Sequence, residues 1–231
     1  MLTVSDFRTT DVALGGQGAP LVPIGDELLF GQYRYCLNLG GFANISVNKA
    51  GIRIACDICP VNMVANSLAM RAGFAYDDKG IMGSRGAMEP SLVDALNSLA
   101  FYSRKGPKSL GREWVENEFM PVLEAYDIPL EDLMRSVYEH MALQIAGYVN
   151  DHGAGDTLVT GGGAMNAFLI GLISSKTSTR LIIPEEGIVK FKEAVIFAFL
   201  GLLRYRGEIN CLASVTGASR DSSAGAIHIA L

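Results

Sequence analysis

Three short β-rich runs stand close together early in the chain: Tyr33 to Leu39, Ala43 to Val47 and Ile52 to Asp57. The links between them are turn-forming, Gly40-Gly41 in one case and Asn48-Lys-Ala-Gly51 in the other, rich in residues that tolerate positive φ. Such short links allow only antiparallel pairing, so the spacing predicts a three-stranded meander whose order is set by adjacency. After Asp57 the period changes. Pro60 suits a first helical turn, and Val61 to Arg71 carries apolar residues at helical spacing before Gly73 stops it.

Residues 74–113 are rich in Gly, Ser, Asp and Lys and lack sustained periodicity; they predict an irregular insertion with one short helix near Ser91 to Leu99. Helices are predicted from about Glu113 to Tyr126 and from Leu130 to Asn150, with Asp127 and Pro129 marking the gap. A short strand, Thr157 to Thr160, ends in Gly161-Gly162-Gly163. A helix from Ala164 to Ser174, a strand from Arg180 to Ile183 and a final helix from Val189 to Tyr205 follow. This order is the one expected of a ribonuclease-H-like α/β lobe: a mixed sheet flanked by helices, here with a helical insertion. The strands suffice for one such lobe.

Nearly half of the 231 residues are apolar (49%) and only 19% are charged, enough to fill a core and too little charge for disorder. A net charge of -5 provides no basic field for nucleic acid or an anionic membrane. The longest apolar run, Ala194 to Leu203, is far short of the roughly 20 residues a membrane-spanning helix needs. The start, MLTVSDFRTTD, lacks a secretory pattern, and four cysteines are few for the length; a cytoplasmic chain without a disulfide framework is expected.

Asp57 is the most informative single residue, because it closes a strand just before a helix, where ligands of open α/β sheets gather. A carboxylate there, partly desolvated by Ile58 and Pro60, is a candidate general base; the competing reading is a helix cap. Glycine-rich turns can bind phosphate through main-chain N–H groups. Gly161-Gly162-Gly163, Gly40-Gly41 and Gly15-Gly16-Gln17-Gly18 are the candidates, though for any one of them alone plain turn chemistry is the simpler reading, and none fits a P-loop or dinucleotide fingerprint. Lys108 and Arg112 at i and i+4 could clamp an anionic or polyhydroxylated substrate or form a solvated helix start. Glu193, before the run Ala194 to Leu200, is either a second site carboxylate or a group compensating the helix dipole. Cys56-Asp-Ile-Cys59 is a weak redox motif, the three histidines stand apart, and no metal site is expected.

Seven segments in one order carry a resemblance that covers nearly the whole chain. They are Asp6 to Asp11, Gly15 to Pro23, Leu37 to Asn44, Asp57 to Asn62, Pro107 to Glu113, Thr160 to Asn166 and Val215 to Ala218. The set resembles the anhydro-N-acetylmuramic acid kinases of the actin and sugar-kinase superfamily. The resemblance implies a reaction dependent on ATP and Mg2+ that opens the anhydro ring of 1,6-anhydro-N-acetylmuramic acid with water and phosphorylates the 6-oxygen. By motif position, Asp57 is similar to the family's catalytic base and Glu193 to a second acidic residue. Gly40, Gly41, Asn44, Gly161, Gly162, Gly163 and Asn166 resemble nucleotide-side positions; Gly16, Gln17, Asn62, Lys108 and Arg112 resemble sugar-side ones. A homodimer is implied by the family alone.

Two departures from the family pattern stand out. The usual Asp-x-Gly-Pro-Gly-Asn reads Asp57-Ile-Cys59-Pro60-Val61-Asn62, so two glycines are larger here. The family's opening Gly-Thr-Ser-x-Asp-Gly loop and Gly-x-His-Gly-Gln-Thr segment do not occur. The expectation is a single C-terminal kinase lobe spanning 1–231, with a core of about 13–215 and poorly packed boundary remnants at 1–12 and 216–231. Impaired turnover, a non-catalytic sugar- or nucleotide-binding lobe, or half of a two-chain kinase would follow from that.

Overall fold

The computed structural model describes residues 2–104 and 108–229. Met1, Ala230 and Leu231 of the expected remnants, and Pro107 of the fifth motif, lie outside them. The strands are β1 (Leu2–Ser5), β2 (Tyr35–Leu39), β3 (Phe42–Lys49), β4 (Ile52–Pro60), β5 (Thr157–Thr160), β6 (Leu181–Ile182) and β7 (Ala226–Ile229). The helices of seven or more described residues are α1 (Pro23–Leu29), α2 (Asn62–Arg71), α3 (Pro90–Asn97), α4 (Leu130–Asp151), α5 (Ala167–Lys176) and α6 (Glu186–Tyr205).

Five strands form one sheet in the order β4-β3-β2-β5-β6. Two-residue links, Gly40-Gly41 and Ala50-Gly51, make β2, β3 and β4 an antiparallel meander. β5 and β6 pair in parallel, Thr157 opposite Leu181 and Leu158 opposite Ile182. This mixed α/β arrangement is the ribonuclease-H-like order read from the sequence.

The boundaries differ in instructive ways. β4 runs on to Pro60, so neither Pro60 nor Val61 is helical and α2 begins at Asn62. β4 is an edge strand, where a proline without an N–H is tolerated. The helix expected from 113 to 126 runs without a gap from Arg112 to Glu124, as Arg112–Trp114, a π-helical turn Val115–Phe119 and Met120–Glu124. Pro121 supplies the reason: it lacks an N–H and would crowd the carbonyl four residues back, which the wider turn relieves. The 74–113 segment is more ordered than expected, with short helices at Asp78–Gly80, Ile81–Arg85 and Ala100–Ser103 as well as α3.

Packing divides the chain into two compact units. The first comprises Met1–Cys36, Ser46–Ala55 and Phe191–Leu231. Its core gathers Leu21, Ile24, Ile196, Leu200, Leu203, Cys211 and Ala224, with Phe7 and Phe197 at the margin. Gly25 lets α1 approach α6, since a Cβ there would lie 2.5 Å from Ile196 Cγ2. Beside this core sits a buried ionic network. Lys192 Nζ donates to Asp26 Oδ1 at 2.8 Å and Ser46 Oγ donates to Asp26 Oδ2 at 2.6 Å. Arg53 Nε donates to Glu27 Oε2 at 2.7 Å. The terminal segments pair as β1 and β7 in an exposed antiparallel ribbon, Leu2 opposite Ile229 through Ser5 opposite Ala226. Expected to pack poorly, they nevertheless place Asp11 and Thr216 among the buried residues.

The second unit comprises Leu37–Ile45 and Cys56–Lys190. α4 is its axis, burying Leu133, Val137, Met141 and Ile145 along one stripe. α3, α5 and the 81–85 helix pack on it. Its fully buried His140 bonds Asn97 through Nδ1 at 2.7 Å and Tyr102 through Nε2 at 2.9 Å. Gln144 also donates to Asn97 Oδ1, so that oxygen accepts and His140 Nδ1 carries the proton. Tyr102 meets this imidazole edge-on and Phe119 at a tilt, and Trp114 and Phe101 pack on those rings in turn.

Candidate functional site

Asp57 lies inside β4, not at its end, and the strand passes it by three residues. The cap reading therefore fails: the residue before α2 is Val61, and no side chain caps that helix. Asp57 is instead held by the irregular stretch 108–110. Its N–H donates to the Lys108 carbonyl at 2.9 Å, and its Oδ2 accepts the Leu110 N–H at 2.8 Å. Among the described residues Oδ1 accepts no hydrogen bond, leaving lone pairs for a proton. Burial raises the Asp57 pKa above the usual carboxylate value, and the Leu110 N–H opposes that rise. A half-buried carboxylate with a raised pKa and one open oxygen is suited to general-base work.

The flanking cysteines do not form a redox pair. Three apart on a strand, Cys56 and Cys59 face opposite sides of the sheet. Burial raises both thiol pKa values, which suppresses the thiolate that such chemistry needs. Among the described residues no cluster of three or more His, Cys, Asp or Glu side chains could hold a metal ion.

The glycine turns have separate duties. Gly40 and Gly41 link β2 to β3, and their carbonyls accept the first N–H groups of α2: Asn62 to Gly40, Val61 and Met63 to Gly41. The α2 N-terminus is thereby satisfied by protein. Gly161 has φ +82°, and a Cβ there would stand 2.6 Å from Asn38 Oδ1 and 2.8 Å from the Leu39 carbonyl carbon. A Cβ on Gly163 would stand 2.7 Å from Leu39 Cβ. These two glycines let the 161–163 turn press against the end of β2. Asn62 completes the cluster by donating its Nδ2 to the Leu39 carbonyl at 3.1 Å. Gly162 is the exposed member of the turn.

Asn166 caps α5, its side chain accepting the Leu169 N–H at 2.9 Å. Asn44 is exposed on β3. Lys108 and Arg112 are not a matched clamp. The Lys108 ammonium donates to the Phe101 carbonyl at 3.2 Å and sits 4.4 Å from the centre of the Phe101 ring. Arg112, with a side chain 72% exposed, pairs loosely with Glu116 at 3.9 Å.

In the first unit, Gly16 and Gln17 belong to a loop organised by Asp11, a residue the sequence reading quoted without giving it a role. Asp11 accepts from the Gly18 N–H at 2.8 Å, the Thr216 hydroxyl at 2.6 Å and the Cys211 thiol at 3.1 Å. Gly16 is required there, since a Cβ would meet Asp11 Oδ2 at 2.2 Å. Gln17 N–H donates to the Thr216 carbonyl at 3.0 Å. Glu193 is exposed and lies eight residues into α6, beyond the first turn, so compensation of the helix dipole does not explain it.

A family model described as anhydro-N-acetylmuramic acid kinase matches residues 1–230. An anhydro-N-acetylmuramic acid kinase of Streptomyces coelicolor is 33% identical, the match covering 97% of this chain and 60% of that protein. One of Vibrio cholerae is 34% identical, covering 98% and 64%. Among solved structures, the activator of the 2-hydroxyisocaproyl-CoA dehydratase from Clostridium difficile with bound ADPNP is 16% identical, covers 76% of this chain and 61% of that one, and gives a TM-score of 0.49. The chain spans between 60% and 65% of the length of the curated relatives it matches. Matched by the family model over all but its last residue and a third identical to such kinases along nearly its whole length, the chain belongs to the anhydro-N-acetylmuramic acid kinase family.

Proposed function

We propose that this chain serves the ATP-dependent conversion of 1,6-anhydro-N-acetylmuramic acid to N-acetylmuramic acid 6-phosphate, with Asp57 as the general base. The observation that carries the reading is the half-buried Asp57 carboxylate in a motif of a kinase family, one oxygen fixed and the other open. Asp57 takes a proton from water as that water's oxygen bonds to C1 of the sugar. The bond between C1 and the bridging 6-oxygen breaks, and that oxygen attacks the γ-phosphorus, releasing ADP.

Gly161 to Gly163 are the stretch best suited to the nucleotide, with Gly162 exposed and its neighbours fixing the turn. Gly40, Gly41, Asn44 and Asn166 are proposed for the nucleotide as well. ATP supplies the phosphoryl group, and magnesium in this reading arrives on the nucleotide's phosphates, as this ion commonly does. Asn62, Arg112, Gly16 and Gln17 are proposed for the sugar, and Glu193 as the second acidic residue of the reaction. A cytoplasmic setting and pairing of two copies belong to the same reading; sedimentation tests the pairing. Among the described residues no helix is long and apolar enough to cross a membrane.

The test is to incubate the purified chain with the anhydro sugar, ATP and magnesium and to follow ADP and the 6-phosphate by mass spectrometry. Turnover abolished by Asp57→Asn supports the reading. Binding of sugar or nucleotide without turnover points instead to a binding lobe or to half of a two-chain kinase, and binding of neither sinks both.

A further inference from the structure

The stretch that holds Asp57, residues 108–110, has no helix or strand of its own to fix it. It nevertheless meets Asp57 twice, at the main-chain N–H and at Oδ2. Two bonds from alternate residues of one loop to a single residue define both the height of the loop on β4 and the rotation of the carboxylate. Something must hold such a loop in place, because an unanchored loop would lose those bonds to solvent.

Lys108 provides the anchor. Its ammonium sits on the Phe101 carbonyl and over the Phe101 ring, with the Tyr102 ring centre 5.9 Å away. Phe101 is buried and packs edge-on against Tyr102 and at a tilt against Trp114. The Tyr102 hydroxyl bonds His140, so the block is fixed to α4. Among the described residues Lys108 has no carboxylate partner; its ammonium is held by a carbonyl and an aromatic face, an arrangement that strengthens when desolvated. A cation held this way is already committed to the protein.

We propose that Lys108 is a positioning residue that orients the Asp57 carboxylate through the 108–110 main chain, by docking its ammonium on the Phe101 carbonyl and ring. The proposal rests on the reading of Asp57 as the reacting base, but its geometry can be tested without turnover. It replaces the direct sugar contact that motif position suggests for Lys108.

The experiment compares the full chain with Lys108→Met, which keeps the stem and removes the cation, and Lys108→Arg, which keeps a cation able to stack on Phe101. Amide hydrogen exchange at Asp57 and Leu110 and the carbon-13 shift of the Asp57 carboxyl are read by NMR, with the urea midpoint as a check on the fold. Lys108→Met is expected to speed exchange at Leu110 about tenfold and to move the carboxyl signal, and Lys108→Arg to restore most of both. If Lys108→Met does not fold, Phe101→Leu, which keeps the carbonyl and removes the ring, is expected to give the same changes in smaller measure. Unchanged Asp57 and Leu110 signals in the folded variants overturn the proposal, as does weakened binding of the anhydro sugar with those signals intact. Where the NMR changes appear but the unsubstituted chain forms no 6-phosphate, the positioning role stands and only the proposed reaction falls.

Discussion

Replacing Lys192 with Met tests the buried network of the first unit. Lys192 and Asp26 have side chains only 6% and 4% exposed and meet at 2.8 Å. Losing one partner of a buried pair leaves a charge without compensation, a cost of about 3–5 kcal/mol. Asp26 keeps the Ser46 hydroxyl at 2.6 Å, which places the expectation near the lower end, about 3 kcal/mol. At a urea slope of about 2 kcal/mol per molar, the midpoint falls by roughly 1.5 M. The decisive comparison is Lys192→Met with Asp26→Leu in one chain. Removing both charges leaves the Ser46 hydroxyl and the Cys36 thiol short of a partner, so the double variant is expected to lose about 1–2 kcal/mol, less than either single one. Urea unfolding followed by circular dichroism reads all three. A single-variant cost below about 1 kcal/mol, or a double variant whose cost is the sum of the singles, would refute the reasoning.

Three further expectations follow from the second unit. Gly161→Ala combines a residue at φ +82° with a Cβ 2.8 Å from the main chain of Leu39, and is expected to cost about 2–4 kcal/mol in thermal or urea unfolding. Asp57→Asn is expected to end turnover yet raise stability at neutral pH. The folded pKa of Asp57 is raised, so its contribution is fully present below the unfolded pKa and lost as pH rises through the folded one; stability curves that coincide at neutral pH would contradict this. His140 behaves in the opposite sense, because burial pushes its pKa down to about 3. Its contribution is complete above the ordinary pKa of 6.5 and is lost as pH falls from there toward 3, so His140→Phe is expected to destabilise at pH 7 by about 2–4 kcal/mol and to flatten acid unfolding across that window.

The meander, the switch to helical period after it and the alternation of strand and helix beyond Thr157 were legible in the sequence, because each rests on local pattern: turn residues, period two and period 3.6. The chemical candidates were legible as motif positions, Asp57 first among them. Their surroundings were not. Whether Asp57 caps α2 or sits three residues inside a strand depends on how far β3 offers a partner to β4, a long-range pairing that no local window contains. The same holds for Lys108 and Arg112, adjacent at i and i+4 in sequence. One is drawn under an aromatic block while the other lies in solvent, because Tyr102, packed against Phe101, is held by His140 on α4 and nothing but Glu116 meets Arg112 among the described residues.

Glycine shows the division most clearly. Sequence marked Gly40-Gly41 and Gly161-Gly163 alike as turns free to approach a ligand. The fold gave the first pair to the N–H groups of α2 and pressed Gly161 and Gly163 against Leu39, leaving Gly162 open. Asp11 is the converse: a carboxylate read only as part of a motif, which the fold buries as the acceptor joining Gly18, Cys211 and Thr216 across some two hundred residues of chain. The sequence determined which segments become strands, helices and turns, since those choices are made within a few residues. Only the tertiary structure decided which polar groups face protein and which are left open, because burial and hydrogen-bond partners come from residues far apart in the chain.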